Sequence, residues 1–251
     1  MAVDSVRTWY AERGAGEPLV YLHGGWSDSR ELDPVLADYA SRFHLYTPDR
    51  RGHGRTPDVP GPITYDLLTA DLVAFLETVV GGPAHLVGYS DGATVALHVA
   101  LSRPDLVRRL VCISGQFHRD GLPPELLDEF GDLSGTPLAE RYGKVSPDGV
   151  EHFPVIVEKV AQLARTEPGL TAADLTRVAA RTLVMAADDD VVTLEHTLAL
   201  YRGLPDAELA IVPGTSHVLI MEKPRLVAQL VLDFLTLDAA PTIVPIRRAP
   251  R

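Results

Sequence analysis

Five residues, Gly88-Tyr89-Ser90-Asp91-Gly92, have the types and spacing for covalent chemistry. They follow the apolar run Ala84 to Val87 and precede an Ala- and Val-rich stretch, Gly92 to Leu101, that reads as a helix. Gly-x-Ser-x-Gly between a strand and a helix is a nucleophile elbow. The sharp turn holds the serine in a strained backbone conformation, and small residues two positions away on either side avoid collision. The serine oxygen then projects above the carboxyl ends of the strands, over a helix N-terminus that favours negative charge. Ser90 is the predicted nucleophile.

A serine hydroxyl needs a base, and the base needs an acid to fix its tautomer. Of nine histidines, His217 stands best placed. It follows the strand Leu209 to Val212 on the loop Pro213-Gly214-Thr215-Ser216-His217. His85, His98 and His196 fall inside a strand or helices, and His53 sits in a structural loop, Arg51-Gly52-His53-Gly54. Three acids, Asp188-Asp189-Asp190, follow the strand Thr182 to Met185. They cannot all face one histidine, and spacing does not choose among them. The turn His23-Gly24-Gly25-Trp26 after the strand Leu19 to Leu22 supplies an oxyanion hole, with backbone N–H groups of Gly25 and Asp91 as donors. The order Ser…Asp…His differs from both major serine-protease orders.

The elements that must position these groups alternate between short β-rich runs and longer helical patterns. That alternation predicts a mostly parallel sheet covered on both faces. Besides the strands already named, Leu45 to Thr47 and Arg109 to Ile113 are nearly continuous in apolar character, as burial on both faces requires. An antiparallel edge strand is expected around Val6 to Tyr10. Thr64 to Val80 places Leu67, Leu68, Leu72, Phe75, Leu76 and Val79 on one helical face. Glu222 to Leu235 puts Leu226, Leu230 and Phe234 at four-residue spacing, with Pro224 in the first turn. Residues 117–178 break the alternation. They offer Pro123-Pro124-Glu125-Leu126-Leu127 and the amphipathic run Val155 to Leu163 but no strand. A helical insertion between two strands reads as a lid. The expected organisation is a core of residues 1–116 and 179–236, a lid over 117–178 and a C-terminal tail over 237–251.

Composition sets the outer bounds. The chain has 251 residues, 46% hydrophobic and 23% charged, with a net charge of -11. Such acidity repels nucleic acid and anionic membranes, so neither is an expected partner. The single cysteine, Cys112, lies in the apolar run Leu110-Val111-Cys112-Ile113, so no internal disulfide is expected. No apolar run approaches the roughly 20 residues of a membrane span, and Met1-Ala2-Val3-Asp4-Ser5 lacks a signal-peptide pattern. A cytoplasmic location is the expectation. Oligomeric state leaves no mark.

From Leu19 to about Leu235 the chain resembles the α/β-hydrolase superfamily. The resemblance rests on His23-Gly24-Gly25, the elbow, and Pro48-Asp49-Arg50-Arg51-Gly52-His53-Gly54-Arg55-Thr56. This last stretch looks like the family loop Asp-x-Arg-Gly-x-Gly-x-Ser, with Thr56 for the usual Ser. In the family the acid lies three residues after a glycine that ends its strand, and a Val-Pro follows. Ala186 takes the glycine position here and Val192-Thr193 the Val-Pro, so the resemblance maps the acid to Asp189, with Asp188 as the fallback.

The resemblance implies acyl transfer from a small-molecule ester, lactone, thioester or amide through an acyl-enzyme on Ser90. Relatives that open epoxides or remove halide carry Asp at the elbow. An acyltransferase, a carbon–carbon bond hydrolase and a non-catalytic ligand-binding protein are the alternatives. A dinucleotide-binding protein is disfavoured because Gly-x-Gly-x-x-Gly is missing. Neither metal nor organic cofactor is implied. Trp26, Tyr89 and Asp91 are expected in the pocket. The Ser-Asp-Gly elbow looks like that of the valacyclovir-hydrolase branch, which acts on amino-acid esters. A carboxylate at Asp91 would repel anionic acyl groups and favour neutral or cationic ones.

Overall fold

A computed structural model describes residues 6–123, 125, 133–239 and 242–244. Its strands form one sheet in the order β1-β3-β2-β4-β5-β6-β7. They are β1 Tyr10–Arg13, β2 Pro18–Leu22, β3 His44–Pro48, β4 Ala84–Tyr89, β5 Val107–Ile113, β6 Arg181–Asp189 and β7 Ala207–Ser216. Only β1 is antiparallel to its neighbour; the other pairings are parallel. The central strands are mostly buried, β4 over its whole length, which is why they read as nearly continuous apolar runs.

The main helices are α1 Tyr65–Phe75, α2 Asp91–Ser102, α3 Pro137–Gly143, α4 Phe153–Thr166, α5 Leu194–Gly203 and α6 Pro224–Thr236. One core cluster joins Leu68, Leu72 and Phe75 of α1, Val95 and Val99 of α2 and Leu200 of α5 to one sheet face. A second joins Val227, Val231 and Phe234 of α6, with Leu32 and Tyr39, to the other. Helices therefore cover both faces, as the alternation of elements requires.

Two expected patterns are displaced. The edge strand is Tyr10–Arg13 and not Val6 to Tyr10. Tyr10 pairs with Pro48 and Arg13 with Leu45, whereas the preceding Trp9 N–H leaves the ladder to bond Thr56 Oγ1 at 2.9 Å. In α6 the buried face is Val227, Ala228, Val231, Phe234 and Leu235, and Leu226 is exposed. The helix starts at Pro224 after a separate short turn, Leu219–Glu222, so its rotation about the axis follows that start.

Between β5 and β6 the chain carries α3 and α4, and an isolated bridge, His118 to Gly169, is its sole ladder contact among the described residues. Phe153, Ile156, Val157 and Val160 of α4 form a small core with Ala139 and Tyr142 of α3, and Trp26 packs against it. Pro124, Leu126 and Leu127 lie outside the described residues, as do 240–241 and 245–251 of the tail.

Candidate functional site

Ser90 stands between β4 and α2 with φ 53° and ψ -122°, a left-handed conformation for a residue with a side chain. The flanking glycines explain why the turn can close. A Cβ on Gly92 would lie 2.2 Å from the Leu22 carbonyl oxygen, and one on Gly88 2.4 Å from that of Gly92. The Ser90 N–H donates to Ile113 O at 2.7 Å, tying the elbow to β5.

Ser90 Oγ is 2.9 Å from His217 Nε2, and His217 Nδ1 is 2.7 Å from Asp190 Oδ1. Asp190 is thus the acid that meets His217, which corrects the choice of Asp189. The reason lies in the pairing of β6 with β7. Their register shifts between Ala187 and Asp189, where β7 takes four steps to two on β6, so the acid facing His217 is not set by counting along β6 alone. Asp189 is exposed. Asp188, the fallback, also points elsewhere: it accepts the Gly214 and Thr215 N–H groups at 2.8 and 3.0 Å and so pins the loop that carries His217.

Asp190 is firmly held. Its Oδ2 accepts from Ser114 Oγ at 2.5 Å and from the Ala187 N–H at 3.1 Å, and its Oδ1 also takes the Val192 N–H at 3.2 Å. Burial opposes a charge there, but the hydrogen bond and charge of His217, with Ser114 and Ala187, outweigh it and hold the carboxyl below the usual range. On the other side of His217, Tyr89 Oη donates to the His217 carbonyl at 3.0 Å.

The Gly24-Gly25 loop lies against the elbow. A Cβ on Gly24 would sit 3.5 Å from Ser90 Cβ, and one on Gly25 3.8 Å from Asp91 Cβ. The Gly24 carbonyl is drawn away by Arg50 Nη2 at 3.1 Å. Because a trans peptide is planar, the Gly25 N–H points opposite to that carbonyl. The Gly24 N–H itself is taken by Glu31 Oε1 at 3.1 Å.

The Asp49 to Thr56 loop organises this arrangement. Arg50 Nη1 pairs with Asp91 Oδ2, and Tyr65 Oη donates to Asp91 Oδ1 at 2.6 Å. Burial opposes the charge of Asp91, but Arg50 and Tyr65 outweigh it and hold the carboxyl low. Arg50 Nη2 also donates to His23 O at 2.9 Å, and the Arg50 N–H to His23 Nε2 at 3.0 Å. Thr56 Oγ1 donates to Asp49 O at 2.6 Å while accepting from Trp9. Its hydroxyl is the part in use, so Thr serves where Ser is usual.

These groups open onto a cavity of about 270 Å³, near the lower end of ligand pockets, which run about 300–1,000 Å³. Trp26, Tyr89 and Asp91 are on its wall, as are Leu138, Val160 and Ala164 from the insertion. Neither Lys nor Arg lines it among the described residues. Asp190 was one of the three candidate acids but not the one chosen, and Ser114, Glu31 and Gln116 went unnoticed in the sequence. Only Ser114 had a usable signal, because it directly follows the predicted strand Arg109 to Ile113 at the carboxyl edge where the acid must sit. Among the described residues no group of three or more His, Cys, Asp or Glu stands together in a way that could hold a metal ion. No helix among them is long and apolar enough to cross a membrane.

Comparison with known proteins agrees with this architecture. The chain is 25% identical to the 2-(acetamidomethylene)succinate hydrolase of Mesorhizobium japonicum, over 89% of this chain and 90% of that protein. A local match to the (E)-2-((N-methylformamido)methylene)succinate hydrolase of Acinetobacter baylyi is 29% identical but spans only 44% of this chain and 42% of that one. The enol-lactonase of Burkholderia xenovorans LB400 superposes with a TM-score of 0.76 at 19% identity, over 94% of this chain and 99% of that one, and so shares the fold. The names of these relatives point to hydrolase activity. Residues 19–230 match the model of the alpha/beta hydrolase family, and the chain belongs to that family.

Proposed function

We propose that the chain is a serine hydrolase that cleaves small, uncharged carboxylic esters or closely related acyl bonds through an acyl-enzyme on Ser90. The observation that carries this reading is the continuous hydrogen-bonded chain Ser90–His217–Asp190 at the wall of the cavity.

His217 Nε2 takes the hydroxyl proton as Ser90 Oγ forms its bond to the substrate carbonyl carbon. The carbonyl oxygen becomes an oxyanion and accepts from the Gly25 and Asp91 N–H groups. Collapse breaks the bond to the leaving group, which departs with the proton from His217. Water then attacks the acyl carbon, again giving its proton to His217, and the carboxylic acid leaves as Ser90 regains its hydrogen. Asp190 fixes the tautomer that leaves Nε2 free to accept and stabilises the imidazolium.

Cavity chemistry supports the substrate class. Walls of Leu122, Leu138, Val160, Val192, Val218 and Met221 suit an apolar acyl or alcohol group. The relatives from M. japonicum and A. baylyi are named for succinate derivatives, but among the described residues no Lys or Arg is on this wall to meet a carboxylate. Asp91 does not favour a cation either, since Arg50 already balances its charge. The expectation of neutral or cationic acyl groups therefore narrows to neutral ones. A panel of acetyl, butyryl, glycyl and succinyl esters of one phenol tests this. We expect kcat/KM for the butyryl ester to exceed that for the succinyl and glycyl esters at least about tenfold, and all turnover to vanish in Ser90→Ala. Turnover that survives in that variant, or a preference for the succinyl ester, overturns the proposal.

A further inference from the structure

Glu31 is a buried carboxylic acid outside the hydrogen-bonded chain of Ser90, yet it reaches the same cavity. It lies on the 3-10 turn Ser29–Val35 that follows the Gly24-Gly25 loop and is 3% exposed. Oε1 accepts two hydrogen bonds, from Tyr21 Oη at 2.9 Å and from the Gly24 N–H at 3.1 Å. Oε2 is buried and makes no hydrogen bond among the described residues. An ionised carboxylate calls for partners on both oxygens when buried. Protonation removes the charge and makes Oε2 a hydroxyl, which costs less to bury without a partner than a carboxylate oxygen does.

The contact to Gly24 matters because of what that residue holds in place. Its N–H is fixed by Glu31 and its carbonyl by Arg50, so both faces of Gly24 are clamped and the orientation of the next N–H, that of Gly25, is set. We propose that Glu31 is a positioning residue of the oxyanion loop that acts as a neutral acid, holding the Gly24 N–H without placing a negative charge behind the forming oxyanion. This inference rests on the serine-hydrolase reading of the site.

The surroundings of Glu31 favour the neutral form. Burial pushes its carboxyl up to about 7, against the opposing pull of Ser27, Tyr21, the Gly24 N–H and Arg50. Tyr21 on β2 is the phenol in contact, and Tyr39 lies behind it; burial raises both. Tyr89 of β4 is raised by burial and also feels the field of Glu31. From α6 the neighbours are Pro224, Val227 and Ala228, which carry no charge. Arg50 is the cation that faces Glu31, and its guanidinium is paired with Asp91.

The direction of the pH effect follows. Below about 7 Glu31 is neutral and the oxyanion is unopposed; above it a carboxylate forms on the same side of the loop. A unit charge roughly 8 Å from the oxyanion, at an effective dielectric constant near 20, slows the acylation step by about 10–30-fold.

The test uses the full chain, an ester whose hydrolysis depends on Ser90, and the variants Glu31→Gln and Glu31→Ala. Gln keeps an oxygen for Tyr21 and Gly24 but cannot ionise. In the wild type we expect kcat/KM to fall about tenfold as the pH rises above 7. In Glu31→Gln the fall disappears, with a maximum within about threefold of the wild type. In Glu31→Ala kcat drops about 10–100-fold at nearly constant KM, because the Gly24 N–H is released. A wild-type alkaline limb retained in Glu31→Gln, or an unchanged kcat in Glu31→Ala, overturns the proposal. Thermal midpoints between pH 5 and 9 supply a readout independent of turnover. Glu31→Gln should gain on the wild type as the pH rises from 5 to about 7 and keep that margin above it, and a difference constant from pH 5 to 9 refutes a neutral Glu31. Absence of any Ser90-dependent turnover ends both readings, whereas turnover with an unaltered alkaline limb ends this one alone.

Discussion

Replacing Asp190 by Asn changes one oxygen to an amide nitrogen, and the structure leaves that nitrogen no suitable place. Four donors converge on the carboxylate. His217 Nδ1 and the Val192 N–H meet Oδ1, and Ser114 Oγ and the Ala187 N–H meet Oδ2. If the amide NH2 faces Ser114, it opposes the Ala187 N–H, donor against donor. If it faces His217, it opposes the Val192 N–H and forces Nδ1 to accept, so the ring proton moves to Nε2 and cannot leave room for the Ser90 proton. The second outcome is the tautomer error for which the corresponding substitution in another serine hydrolase lowers kcat about 10⁴-fold, or roughly 5.5 kcal/mol of barrier. The first leaves a buried backbone N–H without its partner, at about 1–3 kcal/mol of stability. We therefore expect Asp190→Asn to lose about three to four orders of magnitude in kcat/KM against a neutral ester at pH 7.5, while its far-UV circular dichroism stays that of the wild type. Asp189→Asn, at an exposed position, should stay within about twofold. An active Asp190→Asn beside an inactive Asp189→Asn refutes the assignment of the acid.

Gly92→Ala brings a Cβ to 2.2 Å from the Leu22 carbonyl, a rigid backbone atom, so β2 and α2 must separate. Soluble expression should be lost, whereas Gly81→Ala, with open space around it at φ 81°, should cost only about 1–2 kcal/mol by urea unfolding. Asp91→Asn strips the counter-charge from Arg50, whose side chain is 6% exposed. A loss of about 3–5 kcal/mol is expected, and Arg50→Met in the same chain should restore part of it; no recovery means the pair is not the cause.

What the sequence made legible follows from how local each determinant is. Ser90 is recognisable because the glycines that permit its backbone lie two residues away and its strand is a continuous apolar run. His217 is placed by the end of β7. The Asp49–Thr56 loop was readable as structural, and Asp49 indeed accepts the Ser29 and Arg55 N–H groups at 2.9 Å each. Asp190 was legible only as one of three adjacent acids, because the choice among them depends on how β6 and β7 pair across a register shift, a property of two strands and not of either one. The role of Asp91 changed for a similar reason. Its partners Arg50 and Tyr65 lie 41 and 26 residues away, so a carboxylate that the local sequence leaves free to meet a substrate cation is already neutralised. Glu31 has no motif around it at all. Only the fold brings it under Gly24. The face of α6 depended on where Pro224 starts the helix, and four-residue spacing from Leu226 misjudged that rotation.

The central claim is that Ser90 is an activated nucleophile. Intact-mass measurement after exposure to a fluorophosphonate tests it most directly, since the reagent forms a covalent bond only with a serine whose proton a neighbouring base accepts. The account predicts a single phosphonyl adduct on the wild type, mapped to the peptide containing Ser90, with no adduct on Ser90→Ala and strongly slowed labelling of His217→Ala. An unlabelled wild type, or an adduct that persists in Ser90→Ala, contradicts it.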